Sequence, residues 1–267
     1  MTLACRPAVL ALAALLGVGV HPAARTQDID PTELMRRVQR QDTAPGEQVE
    51  FSMRLTGADG RVRERTGTVY ERQRSPEGIL KERLIRYHSP VDIEGSGVLS
   101  IEQDTRADDQ WLYLPAYHTT RRIVSANRGD RYMGTDFFYE DIVRDRLEDY
   151  RYETVRRETL NGTACLVIDG RAVAPGAVKE TAYSKKRLWI DPARDVILKV
   201  EFYNRAGDLF KRLSVLKVES VGKWHRWQDV RMEDMSRNHA TVIAYSNRVF
   251  QPVPARYFTE QYLKRGR

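Results

Sequence analysis

Cysteine is nearly missing from this chain. Two occur in 267 residues, Cys5 and Cys165. Cys5 precedes an apolar run that reads as a removable leader, so the remaining chain has a single thiol and an internal disulfide is excluded. Cys165 falls in the apolar strand pattern Thr163-Ala164-Cys165-Leu166-Val167-Ile168 and reads as a small buried hydrophobe. Long hydrophobic runs are scarce too. The Ala/Leu/Val/Gly run at 7–20 stops at His21-Pro22, short of the ~20 residues that span a bilayer. Arg6 before it and Pro22-Ala23-Ala24 after it complete a secretory leader, with cleavage expected near Ala24. A lipid-bearing cysteine would follow such a run, and Cys5 lies ahead of it, so no lipid anchor is expected. The expected organisation is a leader at 1–24 and one domain over 25–267, since no Pro/Gly/Ser-rich linker divides the rest.

Signatures of chemistry are equally sparse. His88, His118, His225 and His239 remain after the leader, no two of them at metal-ligand spacing. There is no G-x-S-x-G elbow, no phosphate-cradling glycine loop before a helix and no C-x-x-C pair. No cofactor is expected. The formal charge of +7 arises from arginines spread among acidic residues. It forms no concentrated patch, which argues against nucleic acid and allows at most transient contact with an anionic membrane surface.

What the chain has in quantity is short period-two patterning. Val49, Phe51, Met53 and Leu55 alternate with Glu50, Ser52 and Arg54, and Gly57-Ala58-Asp59-Gly60 turns the chain back. Strands are expected at 62–72, 79–88, 98–103, 111–114, 119–124, 150–159, 165–172, 182–190, 196–203, 209–219, 227–235 and 241–249. Turn chemistry such as Asn161-Gly162 and Asn204-Arg205-Ala206-Gly207 separates them. Connections this short make an antiparallel sheet that curls or closes.

Helix is expected in few places. Asp30 as N-cap, Pro31 at the first position and Glu33 three residues after the cap begin an amphipathic helix, with Ile29 and Leu34 as its hydrophobic staple. It either caps the core or covers the mouth of a cavity. A short helix at 137–146 and a C-terminal turn at 259–264 complete the inventory. Against this stand large apolar residues on strand faces: Phe202, Phe210, Leu213, Trp224, Trp227, Tyr245 and Phe250. So little helix leaves closure around packed side chains or around an apolar cavity.

The stretch 109–143 is the least generic. Trp111-Leu112-Tyr113-Leu114 is large and apolar at every position, which suits a strand covered on both faces, and Pro115 ends it. Asp136, Glu140 and Asp141 stand among Phe137, Phe138 and Tyr139. Adjacent carboxylates do not face each other on a helix, so capping and pairing with Arg121, Arg122 or Arg144 explain them better than acid/base catalysis. The three aromatic rings are either core plugs or the lining or gate of a ligand cavity.

Trp111-Leu112-Tyr113-Leu114-Pro115-Ala116, Arg121-Arg122-Ile123, Tyr132-Met133-Gly134-Thr135-Asp136-Phe137-Phe138-Tyr139-Glu140-Asp141-Ile142 and Leu188-Trp189-Ile190-Asp191 resemble the signature of the LolA-like outer membrane lipoprotein-sorting family. That resemblance implies a mainly β, α+β fold: a curved antiparallel sheet forming an unclosed half-barrel, with short helices as plug or lid. It implies a non-enzymatic periplasmic carrier shielding acyl chains of a lipoprotein or lipid, working between an inner-membrane transporter and an outer-membrane acceptor. The alternative role on the same fold is an accessory subunit of an envelope lipid or hydrophobe exporter. Alternation and motif membership together nominate Val49, Phe51, Met53, Leu55, Trp111, Tyr113, Phe137 and Trp189 as the groove wall.

Overall fold

The alternation that begins near Gln48 belongs to a strand in an antiparallel sheet of thirteen. The computed structural model describes residues 29–41, 43–74, 79–124 and 127–265, so the expected leader lies outside the described residues. The first half of the chain is a meander of β1 (Gly46–Thr56), β2 (Val62–Gln73), β3 (Lys81–Ser89), β4 (Gly97–Ile101), β5 (Asp109–Leu114) and β6 (Thr119–Ile123). The second is a meander of β7 (Tyr150–Leu160), β8 (Thr163–Ala172), β9 (Lys185–Asp191), β10 (Val196–Tyr203), β11 (Leu209–Val221), β12 (Trp224–Asp234) and β13 (His239–Val249). Each expected strand is present, with ends moved by a few residues.

The spatial order is β6-β5-β4-β3-β2-β1-β13-β12-β11-β10-β9-β8-β7. The first and last strands therefore pair in the middle, while β6 and β7 form the two edges. Because these edges do not join, the sheet is curved but unclosed. Bulges in β10, in β11 and between β7 and β8 add local bend and twist. This order fixes the path of the chain: on leaving β6 at one edge, it must cross the whole sheet to start β7 at the other. The crossing segment, described over 127–149, carries three 3-10 turns, at Tyr132–Gly134, Tyr139–Ile142 and Leu147–Asp149. The helix expected at 137–146 is thus replaced by irregular backbone, because Asp141 turns its carboxylate back to the Phe138 N–H, 2.7 Å away, and ends the turn early.

Helix α1 (Pro31–Gln41) forms as its cap dictates, with the Glu33 N–H donating to Asp30 Oδ1 at 2.8 Å. Leu34 and Met35 enter the core, Ile29 packs beside them, and Arg37 donates to Asp195 beyond β9 at 3.2 Å. Helix α2 (Pro175–Glu180) was not expected: a six-residue helix has too little periodicity to be read. The C-terminal turn is α3 (Glu260–Arg265). Among the described residues no helix is long and apolar enough to cross a membrane.

Among the described residues the apolar interior falls into three groups. The largest joins the inner face of the sheet to α1 and the crossing segment. A second lies on the outer face, where the C-terminal segment covers Leu84, Leu99 and Tyr113 with Val253, Phe258 and Leu263. A third, around Cys165, Val167 and Trp189, covers the outer face of β8 to β10. Cys165 is buried as expected.

Gly67 of β2 permits a close approach near the sheet centre. A Cβ there would lie 2.3 Å from the Arg86 carbonyl oxygen and 2.5 Å from the Phe51 ring. Gly67→Ala should therefore lower unfolding free energy by about 1–3 kcal/mol, the range for an overpacked core, as measured by urea denaturation.

Candidate functional site

The inner face is a continuous apolar floor. Phe51, Met53 and Leu55 of β1 meet Tyr87 of β3, Met232 of β12 and Ile243 of β13, and residues 127–149 lie across them as a plug. An irregular segment has backbone and side-chain polar groups that its own hydrogen bonds do not satisfy, and burying these unpaired is costly. The strands supply the partners. Arg65 donates to the Met133 carbonyl at 2.8 Å, Gln110 to that of Tyr139 at 3.2 Å and Arg83 to that of Ile142 at 2.8 Å.

Each carboxylate of the motif is a latch. Met133 and Gly134 have φ of 47° and 74°, and this left-handed corner aims Asp136 at the β12–β13 hairpin. There its carboxylate meets His239 Nδ1 at 2.7 Å and accepts from Thr241 Oγ1 at 2.7 Å. The expected pairing of these carboxylates with Arg121, Arg122 or Arg144 is therefore corrected. Arg122 pairs instead with Asp109 and Arg144 with Glu102. Glu140 accepts from Thr181 Oγ1 at 2.7 Å and the Ala182 N–H at 2.9 Å, and burial pushes its carboxyl above the usual range.

Asp141 makes the third latch, to a buried lysine. It accepts from Lys211 Nζ at 2.7 Å and from the Tyr183 hydroxyl at 2.8 Å, and Lys211 also donates to that hydroxyl at 2.6 Å. Lys211 is fully buried. Burial pushes its ammonium below the usual lysine range, although Asp141 opposes the shift. Its Nζ stands 3.6 Å from the centre of the Phe138 ring, so the plug contributes both an anion and a π-face to one buried cation. Tyr87, pushed up to about 12 by burial, donates to the hydroxyl of Tyr132 at 2.8 Å.

The structure gathers some of the nominated groove residues and separates others. Phe51, Met53, Leu55 and Phe137 share the inner cluster. Val49, 2% exposed, lies on the same side of β1 by alternation but outside that cluster. Trp111 and Tyr113 belong to the outer cluster under the C-terminal segment, and Trp189 to the other outer cluster. The reason is the period of two: Leu112, between Trp111 and Tyr113, faces the plug, as Leu188 and Ile190 do on either side of Trp189. The vacant hollow suggested by the shortage of helix is occupied by the rings of Tyr132, Phe137, Phe138 and Tyr139.

Clefts lie elsewhere among the described residues. One of about 230 Å³ has a charged lining that includes Arg128, Glu140, Arg144 and Asp145, and one of about 590 Å³ opens on the outer face beside α3. Of the nominated residues, Tyr113 alone lines either. Lys211, Tyr183 and His239 were not singled out as anchors from the sequence. The available signal was Lys211 at an apolar-face position, two before Leu213 in β11. Among the described residues no group of three or more His, Cys, Asp or Glu is placed to hold a metal ion.

Removing one partner of a buried pair costs about 3–5 kcal/mol, because the other charge is left uncompensated. Asp141→Asn and Lys211→Met should each lose stability of that order in urea denaturation, and the double variant should lose clearly less than the sum.

Comparison with solved structures places this arrangement among known relatives. A DUF1329 family protein from Desulfovibrio piger aligns with a TM-score of 0.82 at 26% identity, covering 88% of this chain and 100% of its own. A putative outer membrane lipoprotein-sorting protein domain from Vibrio parahaemolyticus aligns at 0.81 and 27% identity, covering 88% and 98%. A LolA superfamily protein from Nitrosomonas europaea, at 0.68 and 18% identity over 88% and 99%, shares the fold. Comparison with functionally curated proteins found no match. A family model described as "Uncharacterized protein" matches residues 80–265, which run from the start of β3 through the plug to α3. As that match takes in well over half of the sequence, the chain belongs to this family.

Proposed function

We propose that this protein is a non-enzymatic carrier of the bacterial periplasm, which takes acyl chains of a lipoprotein or lipid onto the inner face of its sheet when the plug moves aside. One observation carries the reading: the apolar floor is covered by an irregular segment tied down through side-chain latches, where a packed layer of regular helices would be the ordinary cover. The rings of Phe137, Phe138 and Tyr139 occupy the place that cargo takes. The fold is shared with the sorting-protein domain from Vibrio parahaemolyticus, and the leader read at 1–24 supplies the export route.

The energetics suit reversible loading. Burying an acyl chain is worth ~0.8 kcal/mol per CH₂, and binding costs together with plug displacement subtract from that sum. A carrier needs this subtraction, because cargo held at the full value would never leave. In this reading Phe51, Met53 and Leu55 contact the acyl chain, with Val49 at the border and Phe137 leaving with the plug. Trp111, Tyr113 and Trp189 support the sheet from outside. The partners are a donor and an acceptor at the two membranes.

Titration with a fluorescent fatty acid tests the reading. Phe51→Gln should weaken binding about tenfold or more, as expected when a polar amide replaces a buried ring, while Trp111→Gln on the outer face should leave it within about twofold. Equal effects of the two substitutions, or no saturable binding by the unmodified protein, would refute the inner-face site.

A further inference from the structure

The cleft on the outer face has a chemistry of its own. It holds about 590 Å³ between the end of β3, the loop at 90–96 and α3, within the range of small-ligand sites. At its base is Arg86, 4% exposed. Three of the five guanidinium N–H groups meet backbone carbonyls: Gly95 at 2.8 Å, Leu263 at 2.8 Å and Tyr262 at 3.0 Å. The last two carbonyls belong to α3, so the helix offers the negative end of its dipole to the cation. No carboxylate among the described residues pairs with Arg86, and the titratable groups nearest it are the hydroxyls of Tyr262, Tyr70 and Tyr113. Burial pushes the guanidinium below its usual range, yet it remains a cation. A buried arginine held by carbonyls alone has its charge only partly compensated.

The surroundings match an anion with an apolar body. His88, Lys264 and Arg265 are exposed on the rim, and Glu94 is the single acidic residue in the lining. Tyr70, Tyr113 and Tyr262 form the walls. The hydroxyl of Tyr262, pushed up to about 12 by burial and by its hydrogen bond with Tyr257, stays protonated. The Tyr257 ring stacks on Tyr262 at 4.4 Å and meets Tyr70 edge-on at 5.2 Å, which fixes the wall in place.

We infer that this cleft binds an organic phosphate, with the phosphate on Arg86 and the Lys264–Arg265 rim and an apolar or aromatic body against the three tyrosines. A dianion suits the excess of cations over Glu94, and the two guanidinium N–H groups of Arg86 not directed at the backbone carbonyls are left for its oxygens. The site is separate from the acyl floor: the sheet lies between them, and neither depends on the other. Two sources present this chemistry, a soluble phosphate ester and a phospholipid headgroup at a membrane surface.

The test is calorimetric titration of the full chain with phenyl phosphate and with inorganic phosphate, beside flotation with phosphatidylglycerol and phosphatidylcholine vesicles. Phenyl phosphate should bind at one site, more tightly than inorganic phosphate. Arg86→Lys, which keeps the charge but loses the fork, should weaken it about tenfold. Because Arg86 also ties down α3, the exposed pair Lys264→Glu with Arg265→Glu provides a second reading that leaves the fold alone, with a loss of about tenfold expected. Capture by phosphatidylglycerol but not phosphatidylcholine vesicles, reversed by phenyl phosphate, identifies the lipid source; phenyl phosphate binding without vesicle capture identifies a soluble ester. No saturable binding of phenyl phosphate, or binding unchanged in the rim double variant, overturns the inference.

Discussion

The buried contact between Asp141 and Lys211 is the constraint on which the rest of the inner face depends. A lysine in the dry face of β11 cannot stay charged there without an anion, and the sheet's own strands do not supply the one it meets. The plug does, and in doing so it places Phe138 over the ammonium and stacks it on Tyr183 at 5.8 Å. The cover is thereby specified by electrostatics as well as by apolar area. A segment with little regular secondary structure can hold one position because Asp136, Glu140 and Asp141 each have a fixed address on a different part of the sheet. Those addresses lie on β13, just before β9, and on β11.

Topology explains why such a cover exists. With β1 paired to β13 at the centre, the connection between the two meanders must run from edge to edge. The crossing segment, described over 127–149, packs on the inner face. The outer face is closed differently, by the C-terminal segment over β3 to β5 and by packed side chains over β8 to β10. One face is thus covered by apolar packing and the other by a latched plug. The proposed carrier needs that asymmetry, since loading has to open one side while the sheet stays intact.

Much of the fold was legible because strand alternation is local. The β1 pattern, the Asp30 cap and the turns at Asn161-Gly162 and Asn204–Gly207 each depend on a few neighbouring residues, and each appears as read. The mistaken parts depend on contacts distant in sequence. Asp136 was assigned nearby arginines, but it reaches His239, more than a hundred residues on. Trp111, Tyr113 and Trp189 were grouped with Phe51 because motif membership does not say which face of a strand a residue takes. Helix content alone leaves open whether the interior is filled by side chains or keeps a cavity. The plug closes it with aromatic rings on irregular backbone, which period-based reading does not register.

Hydrogen exchange of the plug backbone, with and without a bound fatty acid, tests the central claim most directly. If cargo takes the place of the plug rings, the amides of Thr135, Phe138 and Asp141 lose protection on loading, while those of β1 and β13 keep or gain it. Saturable binding with plug protection unchanged would contradict the account, because the acyl chain would then lie somewhere other than the inner face.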